Sequence, residues 1–367
     1  MQKLVKPMEA ADQPKNIAQV SPSGSDTSPK FVYRAWYCGA WADELGDNLL
    51  ARRILNEPIV MFRDEQGAAH AISDICPHKF APLHLGKHLG NTVQCPYHGL
   101  EFDGSGRCMH NPHGDGKVPG AAKVRSFPLL EKWGVLWIWM DPDFAPDESL
   151  LPDFSQLTDP GRRTIKGMTH VKGNYQHSLD NLMDLGHAMY LHQASVGTTG
   201  TMPKVEQKVV QDGKSVSDLR LYRNMMAPRF YAQHFPDPSR EMDFWSDVQW
   251  FPVSLARNFV GAAYPGNART ADSVNQLGAH FLTPETHKSS HYFFANSRNY
   301  ALDDAAADAA WVTWQETALS KEDSSMVEAI QQYEADVERL GMRPVLLTVD
   351  AAGMRVRRLI QQMTESA

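Results

Sequence analysis

Cysteine is scarce in this 367-residue chain: four residues in all, Cys38, Cys76, Cys95 and Cys108. So few exclude a small scaffold stapled by disulfides. Long apolar runs are missing too. Stretches such as Val135 to Met140 fall far short of the ~20 residues a bilayer-spanning helix needs, so no membrane span is expected. Positive charge is in deficit, with 36 Lys and Arg against 43 Asp and Glu and a formal net charge of −7. No basic stripe offers itself to nucleic acid, which is therefore not expected as a partner. Residues 1–30, rich in Ser, Pro, Lys and Gln, have neither a twin-Arg pair nor an apolar signal core. They read as a flexible tail on a cytoplasmic protein. No internal repeat is present, and beyond that tail the only biased tract is the Ala-rich 305–310. What is there is an ordinary globular composition, 42% hydrophobic and 22% charged, on a chain long enough for two domains.

Two of the four cysteines stand in Cys76-Pro77-His78 and Cys95-Pro96-Tyr97-His98, separated by residues 79–94. One Cys and one His from each of two loops is the ligand pattern of a Rieske [2Fe-2S] centre, where thiolates hold one iron and imidazoles the other. A Cys2His2 zinc site accepts the same ligands. The usual zinc frameworks, however, group Cys with Cys and His with His. Asp64-Glu65-Gln66-Gly67 lies between the apolar stretches Ile59 to Phe62 and Ala68 to Ile72, which predicts a hairpin leading into the first loop. Asp103-Gly104-Ser105-Gly106 predicts a turn after the second. Of the remaining cysteines, Cys38 and Cys108, a disulfide is disfavoured in a reducing compartment, and Cys108 reads as a small buried residue.

From Phe31 to about Pro142 short β-type runs alternate with Gly, Asp and Pro, predicting an all-β cluster domain over 31–142. Residues 142–161, with four prolines, read as a linker wrapping the surface. A second domain, 143–367, mixes strand-like runs (Ser215 to Tyr222, Ala279 to Leu282, His291 to Phe294) with two helical patterns. In Gly173 to His192 an apolar stripe of Leu179, Leu182 and Met183 runs beside Asn181, Asp184 and His187, which recur every third residue and share a face. His187 and His192 are five apart, about 140° around an ideal helix, so both address one ion only if the helix distorts between them. Gly186 permits that. As a plain pair they would be a helix-terminal histidine and a partner of Asp184. The second pattern runs from about Ala305 to Leu340, ending at Gly341 and Pro344, with Leu319, Asp323, Met326, Ile330 and Val337 on one stripe. That stripe predicts a buried Asp323, which must be paired with an Arg or bound to metal. Two His and one carboxylate form the facial triad of non-haem Fe(II) oxygenases. Asp184 and Glu322 compete with Asp323 for the third position, Asp184 suiting better a hydrogen bond that fixes an imidazole tautomer.

CPHKFAPLHLG, QCPYHGLEFDG, NPHGDG, VRSFP, DNLMDLGHAMYLH, HFLTPET and KED at 321–323 together resemble the Rieske non-haem iron oxygenases, in the branch containing the vanillate O-demethylase oxygenase subunit and dicamba monooxygenase. The resemblance covers nearly the whole chain after the tail. It implies an α+β fold: an N-terminal all-β Rieske domain, then a catalytic domain of helices on an antiparallel sheet, helix-grip-like. It implies Cys76, His78, Cys95 and His98 as cluster ligands, and His187, His192 and Asp323 as ligands of a mononuclear iron. It implies a homotrimer in which Asp184 links His98 of one subunit to His187 of the next, with Asn181 close to the iron. Asn258, His280 and Trp314 match positions lining the substrate pocket of dicamba monooxygenase. Each also has a structural role open to it: Trp314 in a helix core, His280 as a satisfied strand residue, Asn258 as a turn former.

The activity so implied is that of a bacterial terminal monooxygenase. Electrons from NAD(P)H arrive through a reductase and a ferredoxin, O2 is the co-substrate, and an alkyl carbon on O or N of an aromatic compound is hydroxylated and lost as aldehyde. Two rivals stand beside it. A ring-hydroxylating dioxygenase uses the same metals, and a Rieske electron carrier needs only the cluster. Arg229, Arg240, Arg257 and Arg269 lie where pocket loops are expected but do not by themselves make an anion site.

Overall fold

A computed structural model describes residues 31–192, 204–270 and 273–365; the expected tail, 1–30, lies outside them. The β-rich first part folds as three small antiparallel sheets. Trp36–Trp41 pairs with Val135–Trp139, which pairs in turn with Leu129–Lys132. Leu50–Ile54, Glu57–Arg63, Ala69–Ser73 and Ser126–Phe127 form the second sheet, and Lys87–His88, Thr92–Gln94, Glu101–Asp103 and Cys108–His110 the third. The hairpin expected at Asp64 is present. Asp64 Oδ1 accepts the amides of Gln66 and Ala68, and Gly67 takes φ +82, a conformation that favours glycine. All four cysteines are free thiols, Cys108 only half-buried.

The second part is built on a seven-stranded antiparallel sheet in the order Arg163–Val171, Ser289–Arg298, Val274–Thr286, Leu255–Ala263, Met242–Phe251, Ser215–Met225, Val205–Asp212. Strand side chains alternate between faces, and both faces of this sheet are used. Leu255, Ala279, Phe281, Phe293 and Ala295 pack under the first part, against Trp36, Trp137, Trp139 and the linker residues Leu151, Phe154 and Leu157. Val248, Ala256, Leu282, Tyr292 and Phe294 meet the helices through Leu179, Leu182, Met183, Leu319, Val327 and Val356. Each such large apolar side chain contributes about 1.5–3 kcal/mol on burial. The architecture is therefore the expected α+β one.

Helix α1, Tyr175–Met183, starts at Asn174, whose side chain accepts the Gln176 amide at 2.9 Å. It ends at Met183, and Asp184 is extended. A tight turn Leu185–His187 follows, then the one-turn helix α2, Ala188–Leu191. Helix α3, Ala305–Thr317, runs through a π-helical turn, Ala318–Asp323, into α4, Ser324–Arg339. The stripe read along this segment breaks at that turn. A π turn adds one residue and moves the following face by about one position. Asp323 is buried as expected, but Val327 turns inward while Met326, Ile330 and Val337 are exposed. A further helix, α5 (Ala351–Glu365), escaped the sequence reading although Ala352, Val356 and Ile360, spaced by four, are its buried face.

Candidate metal centres and the adjoining pocket

The two loops carrying Cys76 and Cys95 are closed in the same way. The Cys76 amide donates to the carbonyl of Ala81 and the Phe80 amide to that of Cys76; the Cys95 amide donates to Leu100 and the Gly99 amide to Cys95. Both fourth positions need positive φ, +60 at Phe80 and +71 at Gly99. This repeated turn brings the pairs together. The rings of His78 and His98 lie 4.4 Å apart, and both thiols are buried. Burial, with Cys95 as neighbour, pushes the Cys76 thiol up to about 11. Burial, then the nearby His78, His113 and Lys79, holds His98 below the usual imidazole range. His98 Nδ1 is buried with no hydrogen-bond partner. Two buried thiols side by side and an imidazole nitrogen with nothing to bind suit a cationic iron pair, and the residues fit a Rieske cluster.

The second centre forms where α1 and α2 meet the π turn. The Nε2 atoms of His187 and His192 are 3.3 Å apart, and Asp323 Oδ1 lies 3.5 Å from the first and 3.1 Å from the second. Between the two histidines the backbone is the single helical turn Ala188–Leu191, and the break that falls before both, at Asp184, leads into it through the turn Leu185–His187. Gly186 tightens that turn, since a Cβ there would stand 2.9 Å from Asp184 Oδ1. Each imidazole is turned by an acceptor behind it. His187 Nδ1 donates to the Asp184 carbonyl, and His192 Nδ1 donates to Glu322 at 2.7 Å. An acceptor at Nδ1 fixes the proton there and leaves Nε2 to face the ion. Burial pulls His192 down, but the hydrogen bonds and charges of Asp323 and Glu322 outweigh it and raise its pKa. Asn181 Nδ2 donates to Asp323 Oδ1 at 3.0 Å. The donor set fits a cation such as Fe(II) with coordination positions left open.

The Asp184 side chain does not take the role its spacing predicts. It is the main-chain carbonyl that holds His187, because the helix has already ended. The carboxylate caps the Gly186 amide at 2.8 Å, a third exposed, 3.9 Å from Nη2 of the buried Arg220. Glu322 is an outer acceptor rather than a rival of Asp323.

On the helix-covered face of the sheet, His280 is buried, its Nδ1 2.8 Å from the Tyr292 hydroxyl and its Nε2 without a partner. Burial pulls its pKa down to about 4, against the charge of Asp323. Asn258 sits mid-strand rather than in a turn, with its Oδ1 buried and unpartnered. Trp314 packs against the main core and against Trp311, ring centres 5.2 Å apart. Tyr292, Gly278, Gln276 and Asn296 on the same face were not singled out from sequence. Their signal is strand register, which one sequence does not display.

Residues 35–128 match the family model of the Rieske [2Fe-2S] domain, and residues 171–366 that of the vanillate O-demethylase oxygenase C-terminal domain. The oxygenase component of dicamba O-demethylase from Stenotrophomonas maltophilia is 41% identical over 335 residues, 91% of this chain and 98% of that one. The oxygenase component of chloroacetanilide N-alkylformylase from Rhizorhabdus wittichii is 36% identical over 338 residues, 90% of this chain and 95% of that one. A crystal structure of dicamba monooxygenase with non-haem iron and dicamba superposes with a TM-score of 0.82 at 40% identity, covering 92% of this chain and 98% of that one.

Proposed function

The chain belongs to the Rieske non-haem iron oxygenases of the vanillate O-demethylase type, and from that premise we propose that it removes an alkyl group from O or N of an aromatic compound. The observation that carries the reading is the convergence of two imidazoles and one carboxylate, each imidazole turned by an acceptor, beside a sheet face with unpartnered polar atoms. For a methyl ether the balance is R–O–CH3 + O2 + 2 electrons + 2 H+ → R–OH + HCHO + H2O.

His187, His192 and Asp323 would hold the iron, and Cys76, His78, Cys95 and His98 the cluster. When bound, the metals supply the electrons and the O2 activation. The protein's own residues position. Asp184 and Glu322 fix the imidazole tautomers, Asn181 steadies Asp323, and Asn258, His280 and Trp314 orient the aromatic ring. A neutral His280 suits a hydrogen-bonding role. Residues 31–142 serve the cluster and 143–367 the iron.

The working assembly is a homotrimer in the bacterial cytoplasm, supplied by a ferredoxin and a reductase using NAD(P)H. In it Asp184 joins the cluster ligand His98 of one subunit to His187 of the next. The partial exposure of the Asp184 carboxylate supports this. So does an exposed apolar row on α4 and its C-cap, Met326, Ile330, Tyr333, Val337 and Leu340, whose alternating steps of four and three are those of a helix-packing seam.

The test is a panel of aromatic O-methyl, N-methyl and N-alkoxyalkyl compounds given to the purified chain with a ferredoxin and reductase, scored for aldehyde. Aldehyde with the matching phenol or amine is the expected result. A cis-diol product, or turnover only with an added small β subunit, would mark a ring dioxygenase instead.

A further inference from the structure

The register of the central sheet sets Asn258, Gly278 and Asn296 opposite one another on three neighbouring strands. Directly opposed residues project from one face. For this row it is the face that also carries His280 and Tyr292 and lies under the helices bearing the histidine and aspartate triad. The side-chain oxygens of Asn258 and Asn296, and that of Gln276 one step along, are buried without a hydrogen-bond partner. Buried polar groups are nearly always paired, and leaving one unpaired lowers stability. Three on adjacent strands call for a ligand.

Gly278 shapes the gap between them. A Cβ there would lie 1.8 Å from Asn258 Oδ1 and 3.1 Å from His280 Nε2. The Asn258 amide therefore leans over the glycine, toward the strand of Asn296. Strands about 4.8 Å apart place the two asparagine Cα atoms about 10 Å apart, enough for one small polar group between their amides.

The row carries no net positive charge. Arg298, two residues beyond Asn296, spends its guanidinium on the Asp308 carboxylate and on the carbonyls of Tyr300 and Ala301. Only its Nη1 remains unpartnered, on a cation already matched by an acid. A carboxamide offers one donor and one acceptor whichever way it is turned, so its best partner is a neutral group offering the same.

We propose that Asn296 is a specificity-determining residue which, with Asn258 across Gly278, hydrogen-bonds a neutral donor–acceptor substituent, a carboxamide or hydroxyl, on the aromatic substrate. The inference rests on the oxygenase reading above and names the substrate class.

Three probes test it on the full-length holoprotein: 2-methoxybenzamide, 2-methoxybenzoate and methoxybenzene, by equilibrium dialysis and by formaldehyde release. The wild type is expected to bind the benzamide about tenfold more tightly than the benzoate. Asn296→Ala should lose about tenfold for the benzamide alone, raising KM with little change in kcat, and should leave methoxybenzene untouched. Gly278→Ala, which displaces the Asn258 amide, should reproduce that loss. Cluster absorbance and thermal midpoint serve as folding controls. Equal binding of all three probes to wild type and Asn296→Ala, or a wild-type preference for the benzoate, overturns the inference while leaving dealkylation intact. A wild type that neither binds nor dealkylates any aromatic ether overturns the oxygenase reading and this inference with it.

Discussion

The Glu322 carboxylate accepts the Nδ1 proton of His192 at 2.7 Å, while the Nε2 of the same ring faces Asp323 at 3.1 Å. Adjacent acids thus stand at different ends of one ring: Glu322 turns the imidazole and Asp323 faces its Nε2, where it would meet the ion. This follows from the π turn, which sends the side chains of 322 and 323 to either end of one ring. Outer partners of this kind are worth about 10–100-fold in metal affinity. Glu322→Ala is expected to lower iron affinity in that range, measured by chelator competition, with cluster absorbance unchanged. Undiminished iron affinity in that variant contradicts the role.

The exposed row on α4 predicts an assembly defect. Ile330→Glu puts a charge in the middle of the proposed seam, where desolvation opposes burial. Light scattering after size exclusion should show the trimer dissociating at concentrations where the wild type stays assembled. A variant trimer as stable as the wild type would place the interface elsewhere.

His291 predicts a pH dependence. Burial first, then the charge of Arg52, pulls its pKa down to about 4, and its Nε2 lies 3.1 Å from the Arg53 carbonyl. Unfolded, the ring titrates near ~6.5. Between these values the unfolded chain binds the extra proton, so stability is full above about pH 6.5 and lost as pH falls toward 4. Near pH 5 the loss is about 2 kcal/mol. Thermal midpoints measured from pH 7.5 to 5 should fall less steeply for His291→Gln than for the wild type.

The cluster loops were legible in the sequence because each is closed by bonds within six residues, so ligand spacing and turn residues say nearly everything. The histidine pair was legible only as a condition, that the helix distort between His187 and His192 with Gly186 permitting it; the chain instead breaks at Asp184, before both, and is helical over Ala188–Leu191 between them. Asp323 was found through a stripe whose later members point to solvent, since periodicity alone carries no sign of an inserted π residue. Helix α5 had its stripe of Ala352, Val356 and Ile360 but also Gly353, a weak helix former. The row of Asn258, Gly278 and Asn296 was not legible, because pairing across three strands depends on where each hairpin turns.

One single-turnover experiment bears on the central claim, that two metal sites in one chain form an oxygenase. Iron-loaded protein with its cluster reduced, freed of excess reductant, is mixed with O2 and an aromatic methyl ether that the wild type dealkylates. The wild type should reoxidise its cluster and release formaldehyde together, whereas Asp323→Ala should keep the cluster's visible spectrum, lose the mononuclear iron and form no aldehyde. Aldehyde formed by Asp323→Ala at the wild-type yield would contradict the account.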